Sequence, residues 1–229
     1  MRWKHPSRGM IPPSEFIGLA EETGAIVHMG NWALKQACMD AKSWPDRIKV
    51  SVNVSAVQLE SGDLYDAVVN ALAAACLEPD RLQLEITETV LMRDSQRTQG
   101  ILRKLNGLGV TVALDDFGTR FSTLNCLRSF PFKKVKIDRS FVHDVSEDPD
   151  KYAIVRSIAD LASELNMRSV AEGVETAADL TAVRAAGYDA AQGFYFSLPV
   201  PARAVRRTIA QCAAKFETHV PCNADKTAA

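Results

Sequence analysis

Six carboxylates sit at or near the ends of short β-type runs. Glu85 and Glu88 lie in RLQLEITE, Asp115 and Asp116 in VTVALDD, and Glu172 and Glu175 in AEGVE. Asn53 in IKVSVNVS and Lys136 in KVKID hold comparable places in two further runs. If these ends converge, so many carboxylates cannot all stay ionised in a confined site without cations. Oxygen donors with little His or Cys suit the hard ions Mg²⁺, Mn²⁺ or Ca²⁺ rather than structural zinc. Asp115 and Asp116 are adjacent where a strand passes into the glycine-containing DDFGTRFS. A bend there lets both side chains reach one site, one of them bridging two ions. Two ions about 3.5–4 Å apart are the usual arrangement for in-line attack on a phosphodiester. Paired acids also occur at helix N-termini for purely structural reasons.

Lys136 could orient an attacking water or stabilise charge on a phosphate. It could also pair structurally with Asp138 or another carboxylate. Glu172 breaks the alternation of its strand, sharing parity with Val170, and needs a bend to reach the others. Gln192 precedes a glycine in AAQGF, where a polar residue is often a turn former.

Positioning these groups is a matter of strand period. In the first four runs Val50, Val52 and Val54 oppose Ser51, Asn53 and Ser55, while Leu82, Leu84 and Ile86 oppose Gln83, Glu85 and Thr87. Val110, Val112 and Leu114 oppose Thr111, Ala113 and Asp115, and Val135 with Ile137 opposes Lys134, Lys136 and Asp138. Asn53, Glu85, Asp115 and Lys136 therefore share the face opposite the apolar stripe. RSVAEGV and YDAAQGF complete six strands. Amphipathic stretches such as DLYDAVVNALAAACL, DSQRTQGILRKLNGLG and YAIVRSIADLASELN separate them, implying βαβ units and a parallel sheet. An antiparallel sheet with one solvated face would also alternate. The intervening helices favour a barrel, with apolar faces outward and polar faces at a common mouth beyond the C-terminal strand ends.

The composition is that of one ordinary globular core, with 229 residues, 47% hydrophobic, 24% charged and a net charge of −1. Near-neutrality argues against binding to a nucleic acid polymer, and no run reaches the roughly 18 apolar residues of a membrane span. Five cysteines without CxxC spacing read as reduced thiols in a cytoplasmic protein. His5, His28, His143 and His219 lack ligand spacing, and Trp32 and Trp44 read as packing residues. Residues 1–216 form the expected domain, and 217–229, polar and aperiodic, a flexible tail.

The motifs resemble, in order, those of the EAL domain family, phosphodiesterases of the bacterial messenger cyclic di-GMP. The likeness runs from RWKHPSRGMIPPSEFIGLAEETG through VNVSAVQL, LEITET, ALDDFGT, FPFKKVKIDRSFV and VAEGVET to QGFYFSLPVP. The resemblance implies an α/β fold, a (β/α)₈ TIM-like barrel with one antiparallel strand, here lacking its first two strands. It implies that Asn53, Glu85 and Asp115 bind a first metal, and that Asp115, Asp116 and Glu172 bind a second. Lys136 would contact the nucleophilic water, with Gln192 nearby; Glu88 would steady the loop after Asp116, and Arg2 would contact a substrate phosphate. The implied reaction is Mg²⁺- or Mn²⁺-assisted hydrolysis to linear pGpG, with Ca²⁺ inhibitory. Implied partners are a second copy in a homodimer and an upstream sensory or GGDEF domain. Two departures stand out. Arg120 replaces a usual glycine in the DFGT loop, and the Glu-Ala-Leu signature, whose glutamate is a metal ligand, falls just before Met1. These lead to the expectation of impaired turnover by the 229 residues. The alternatives are an inactive dinucleotide-binding or protein-interaction module and another metal-dependent barrel hydrolase.

Overall fold

The computed structural model describes residues 1–92, 95–119, 127, 130 and 132–217. Six strands form one parallel sheet in sequential order: β3 (Val50–Asn53), β4 (Leu82–Thr87), β5 (Thr111–Phe117), β6 (Lys134–Ile137), β7 (Arg168–Ala171) and β8 (Ala190–Ala191). These are the six β-type runs read from the sequence, four of them by their alternation. Their order is that of successive right-handed βαβ units, and β3 and β8 are the sheet's two edges. Antiparallel pairing is confined, among the described residues, to a hairpin that the sequence reading did not anticipate, β1 (Trp3–His5) with β2 (Gly9–Ile11).

Helices cover the apolar face because each strand hands over to a stop-and-start signal. Ser55 beyond β3 caps α3 (Ala56–Ser61) in a reciprocal box with Gln58. Asp138 beyond β6 accepts from the Ser140 amide and caps the short α7 (Arg139–Val142). Asp148 caps α8 (Pro149–Glu164), with proline at its first position, and Thr176 with Asp179 boxes the start of α9 (Ala177–Ala185). Among the described residues, the remaining α-helices before α7 are α1 (Pro13–Glu22), α2 (Ala25–Ala41), α4 (Leu64–Ala75), the short α5 (Glu88–Met92) and α6 (Ser95–Gly107). The chain's last described helix is α10 (Val205–Glu217). No described helix is long and apolar enough to cross a membrane.

The helix-facing stripe is the core. Val50, Val52, Leu82, Leu84, Ile86, Val112, Leu114 and Val135 are buried together with residues of α2, α4 and α6. Ile137 and Ala171 join a second cluster with Val155 and Ala159 of α8 and Leu180 and Val183 of α9. The opposite face is polar yet equally dry in its centre. Gln83, Glu85, Asp115 and Lys136 are each at most 7% exposed. Burial of this kind is tolerated only where charges meet partners, so the polar face is an interior site and not a solvated surface.

Two readings need correction. Trp44 packs partly buried against the core, but Trp32 is 60% exposed on α2, where it borders an open recess. Glu172 needs no bend to reach the others. In β7, Lys136 is level with Val170, and Ile137 with Ala171. Neighbours in register point to the same side. Val170 is therefore the lumen residue of this strand, and Glu172 continues its face. The helix side of β7 carries Ser169, a polar residue whose hydroxyl donates to Asp189 at 3.3 Å. That bond satisfies it and hides the true parity. Arg120, Cys126, His219, Cys222 and most of the tail lie outside the described residues.

Candidate metal centre

Asp115 and Asp116 enter the site through a bulge. Leu114 pairs with Val135 and Phe117 with Ile137, so two residues of β5 face the single Lys136 of β6. Asp116 takes a left-handed backbone, φ 53°, a conformation that aspartate tolerates better than most side chains. The extra residue turns both carboxylates inward. Ligand oxygens of Asp115, Asp116 and Glu172 lie within 4.8 Å of one another.

Lys136 holds the centre of this cluster. Its ammonium is 2.9 Å from Glu85 Oε2 and 2.9 Å from Asp115 Oδ1, and it also pairs with Glu172 Oε1. It does not pair with Asp138, which is occupied in capping α7. Burial opposes the lysine's charge, but Glu85, Asp115 and Glu172 outweigh it and hold its proton more tightly than usual. Burial raises the carboxyl of Asp115 against the opposing pull of Lys136. Asp116 rises through burial and then through the neighbouring Asp115. Burial, only partly offset by Lys136, pushes Glu172 up to about 7.

The remaining expected residues fall around this centre. Asn53 is level with Glu85 on the adjoining strand and exposed at the β3 edge. Gln192 donates to Glu172 Oε1 at 2.9 Å, so its place before a glycine is more than a turn signal. Glu88 accepts from the Gly118 amide at 2.9 Å and so ties down the loop after Asp116. Arg2 lines a recess of about 920 Å³ together with Asn53, Glu85 and Thr87. Glu175, by contrast, is exposed before α9 and lies outside the carboxylate cluster. The sequence reading missed Gln83 as more than a lumen-face residue. Its amide donates to both Glu85 and Ser51.

Gly173 sets how closely this rim packs. It has φ +73°, and a Cβ there would collide with Arg139. Gly173→Val is expected to cost about 1–3 kcal/mol, read as a lower urea midpoint, and to displace Glu172.

The EAL domain model matches residues 1–199, most of the chain. The chain belongs to the EAL domain family. This EAL domain is 41% identical over 214 residues to the bifunctional diguanylate cyclase/cyclic di-GMP phosphodiesterase MucR of Pseudomonas aeruginosa, covering 92% of this chain and 31% of that protein. It is 36% identical over 210 residues to the cyclic di-GMP phosphodiesterase PdeR of Escherichia coli, covering 90% of this chain and 32% of the relative. The solved PaMucR phosphodiesterase, in its c-di-GMP complex, matches the EAL domain with TM-score 0.84 and 42% identity, over 89% of this chain and 84% of that one. The EAL domain thus spans about a third of the length of these two curated relatives.

Proposed function

We propose that this EAL domain hydrolyses one phosphodiester of cyclic di-GMP to linear pGpG with the help of Mg²⁺ or Mn²⁺. The observation that carries the reading is the Asp115–Asp116 bulge, which gathers acids from β5 and β7 around one lysine. Glu85, Asp115, Asp116 and Glu172 formally carry four negative charges, and Lys136 returns one. Such an excess of oxygen donors fits hard divalent cations. Glu85 and Asp115, with Asn53, would hold one ion, and Asp115, Asp116 and Glu172 the other. Bound there, the ions would supply charge neutralisation and a more acidic water.

The protein's own groups do the rest. Arg2 stands on the rim of the recess, where its guanidinium suits a phosphate oxygen. Lys136 aims an ammonium at the ground between Glu85, Asp115 and Glu172, placing a donor for the attacking water. Gln192 keeps Glu172 from rotating away. Glu88 holds the Gly118 backbone and with it the turn that follows the bulge. Water forms the new bond to phosphorus, and the leaving sugar oxygen departs with a proton.

The test is incubation of the protein with cyclic di-GMP and Mn²⁺ or Mg²⁺, followed by separation of the nucleotides. Appearance of pGpG that stops on chelation supports the proposal. Tight binding of the dinucleotide with no pGpG would transfer the reading to a binding module.

Proton and metal compete in this cluster. Glu172 keeps its proton up to about pH 7 in the metal-free protein. Divalent binding must release that proton, so affinity rises as pH rises through about 7. The gain in melting temperature on adding Mn²⁺ is expected to be larger at pH 8 than at pH 6. Equal gains would contradict the assignment of Glu172 to the ion site.

A further inference from the structure

Glu85 has two oxygens and two different holders. Lys136 takes Oε2, as described, while Oε1 accepts from Gln83 Nε2 at 2.9 Å. The same nitrogen donates its other hydrogen to Ser51 Oγ on β3, also at 2.9 Å. One amide therefore ties a β4 carboxylate to the edge strand. Gln83 is only 2% exposed.

The orientation of that amide is informative. An ionised carboxylate only accepts, so the nitrogen must face Glu85. The amide oxygen then has no hydrogen-bond partner among the described residues. An unpaired buried carbonyl is unfavourable. Packing alone gives no reason for a glutamine here, since an apolar side chain of similar size would fill the space without an unpaired carbonyl of its own and would leave only Glu85 Oε1 short of its donor. What the glutamine achieves is a fixed Glu85, with Oε1 tied back and Oε2 turned toward the cluster shared with Asp115 and Glu172.

We propose that Gln83 is a positioning residue for the cation site, anchored by Ser51 and acting through Glu85. The inference rests on the reading that the cluster binds divalent ions. A carboxylate whose rotamer is already set loses less freedom when an ion arrives. Partners of this kind commonly change metal affinity by about 10–100-fold.

The test uses Mn²⁺ binding by the whole chain, followed by the electron paramagnetic resonance of free Mn²⁺ at pH 8. Gln83→Leu is expected to weaken binding by about 10–100-fold, and Ser51→Ala to weaken it less in the same direction. Ile86→Val, on the helix side of the same strand, serves as the stability control. It should lower the urea midpoint and leave Mn²⁺ affinity unchanged. Should Gln83→Leu fail to fold, the exposed Ser51→Ala carries the comparison. Wild-type affinity in the Gln83 and Ser51 variants overturns the positioning role and leaves the metal reading intact. Equal weakening by Ile86→Val overturns it as well, by reducing the effect to stability. A wild-type protein that binds no Mn²⁺ overturns both.

Discussion

Asp115→Asn is expected to lower cyclic di-GMP turnover by about a thousandfold or more while leaving the metal-free fold intact. The two halves of this expectation have separate causes. Asparagine keeps the shape of the side chain but removes a charge that would contact both ions, and loss of that contact costs several kcal/mol of transition-state stabilisation, roughly three powers of ten in rate. In the metal-free protein, however, burial already disfavours the charged form of Asp115 and raises its pKa. A neutral replacement relieves that cost even as it weakens the 2.9 Å contact with Lys136. The variant should therefore melt close to wild type without metal and gain little on adding Mn²⁺. Turnover within tenfold of wild type would remove Asp115 from the reaction. A collapse of the metal-free fold would assign it a structural duty instead.

Lys136→Met reverses the pattern. The substitution leaves Glu85, Asp115 and Glu172 facing one another in a buried site with their common partner gone. Breaking a buried ion pair by deleting one member typically costs about 3–5 kcal/mol. The sign with pH follows from the acids left behind. Without the lysine the folded pKa values of Asp115 and Glu172, already raised by burial, rise further, so the folded state holds protons that the unfolded state has released. Stability contributed in this way is present at low pH and lost as pH rises above the ordinary carboxylate range. The urea midpoint of the variant should fall well below wild type at pH 8 and approach it at pH 5. Mn²⁺ is expected to restore much of the midpoint at pH 8 by replacing the missing positive charge, while turnover stays low because the donor for the attacking water is absent. Equal loss at both pH values would show that the lysine's packing, not its charge, supports the fold.

The strands of this domain and most of its polar face are legible in the sequence because both follow from a two-residue period. Val50, Leu82, Val112 and Val135 mark one side, and Asn53, Glu85, Asp115 and Lys136 necessarily fall on the other. Helix starts are equally local, since Ser55, Asp138, Asp148 and Thr176 each satisfy amides within three residues of themselves. The acids, the lysine and the order of the motifs were enough to point to the family.

Other features depend on residues far apart in the chain. The parity of β7 is set by register with β6, and a serine on the helix side is acceptable because Asp189, 20 residues later, accepts a hydrogen bond from its hydroxyl. The bulge at Asp116 exists only relative to Lys136 on the next strand. Gln83 becomes more than a polar lumen residue once Ser51, 32 residues earlier, closes its second hydrogen bond. Trp32, hydrophobic by type, is exposed beside the recess because its helix turns another stripe toward the core. Composition and period set which side each strand buries, since those forces act between near neighbours. Register, bulge and carboxylate orientation were decided by tertiary structure, because they belong to contacts between strands and not to any one of them.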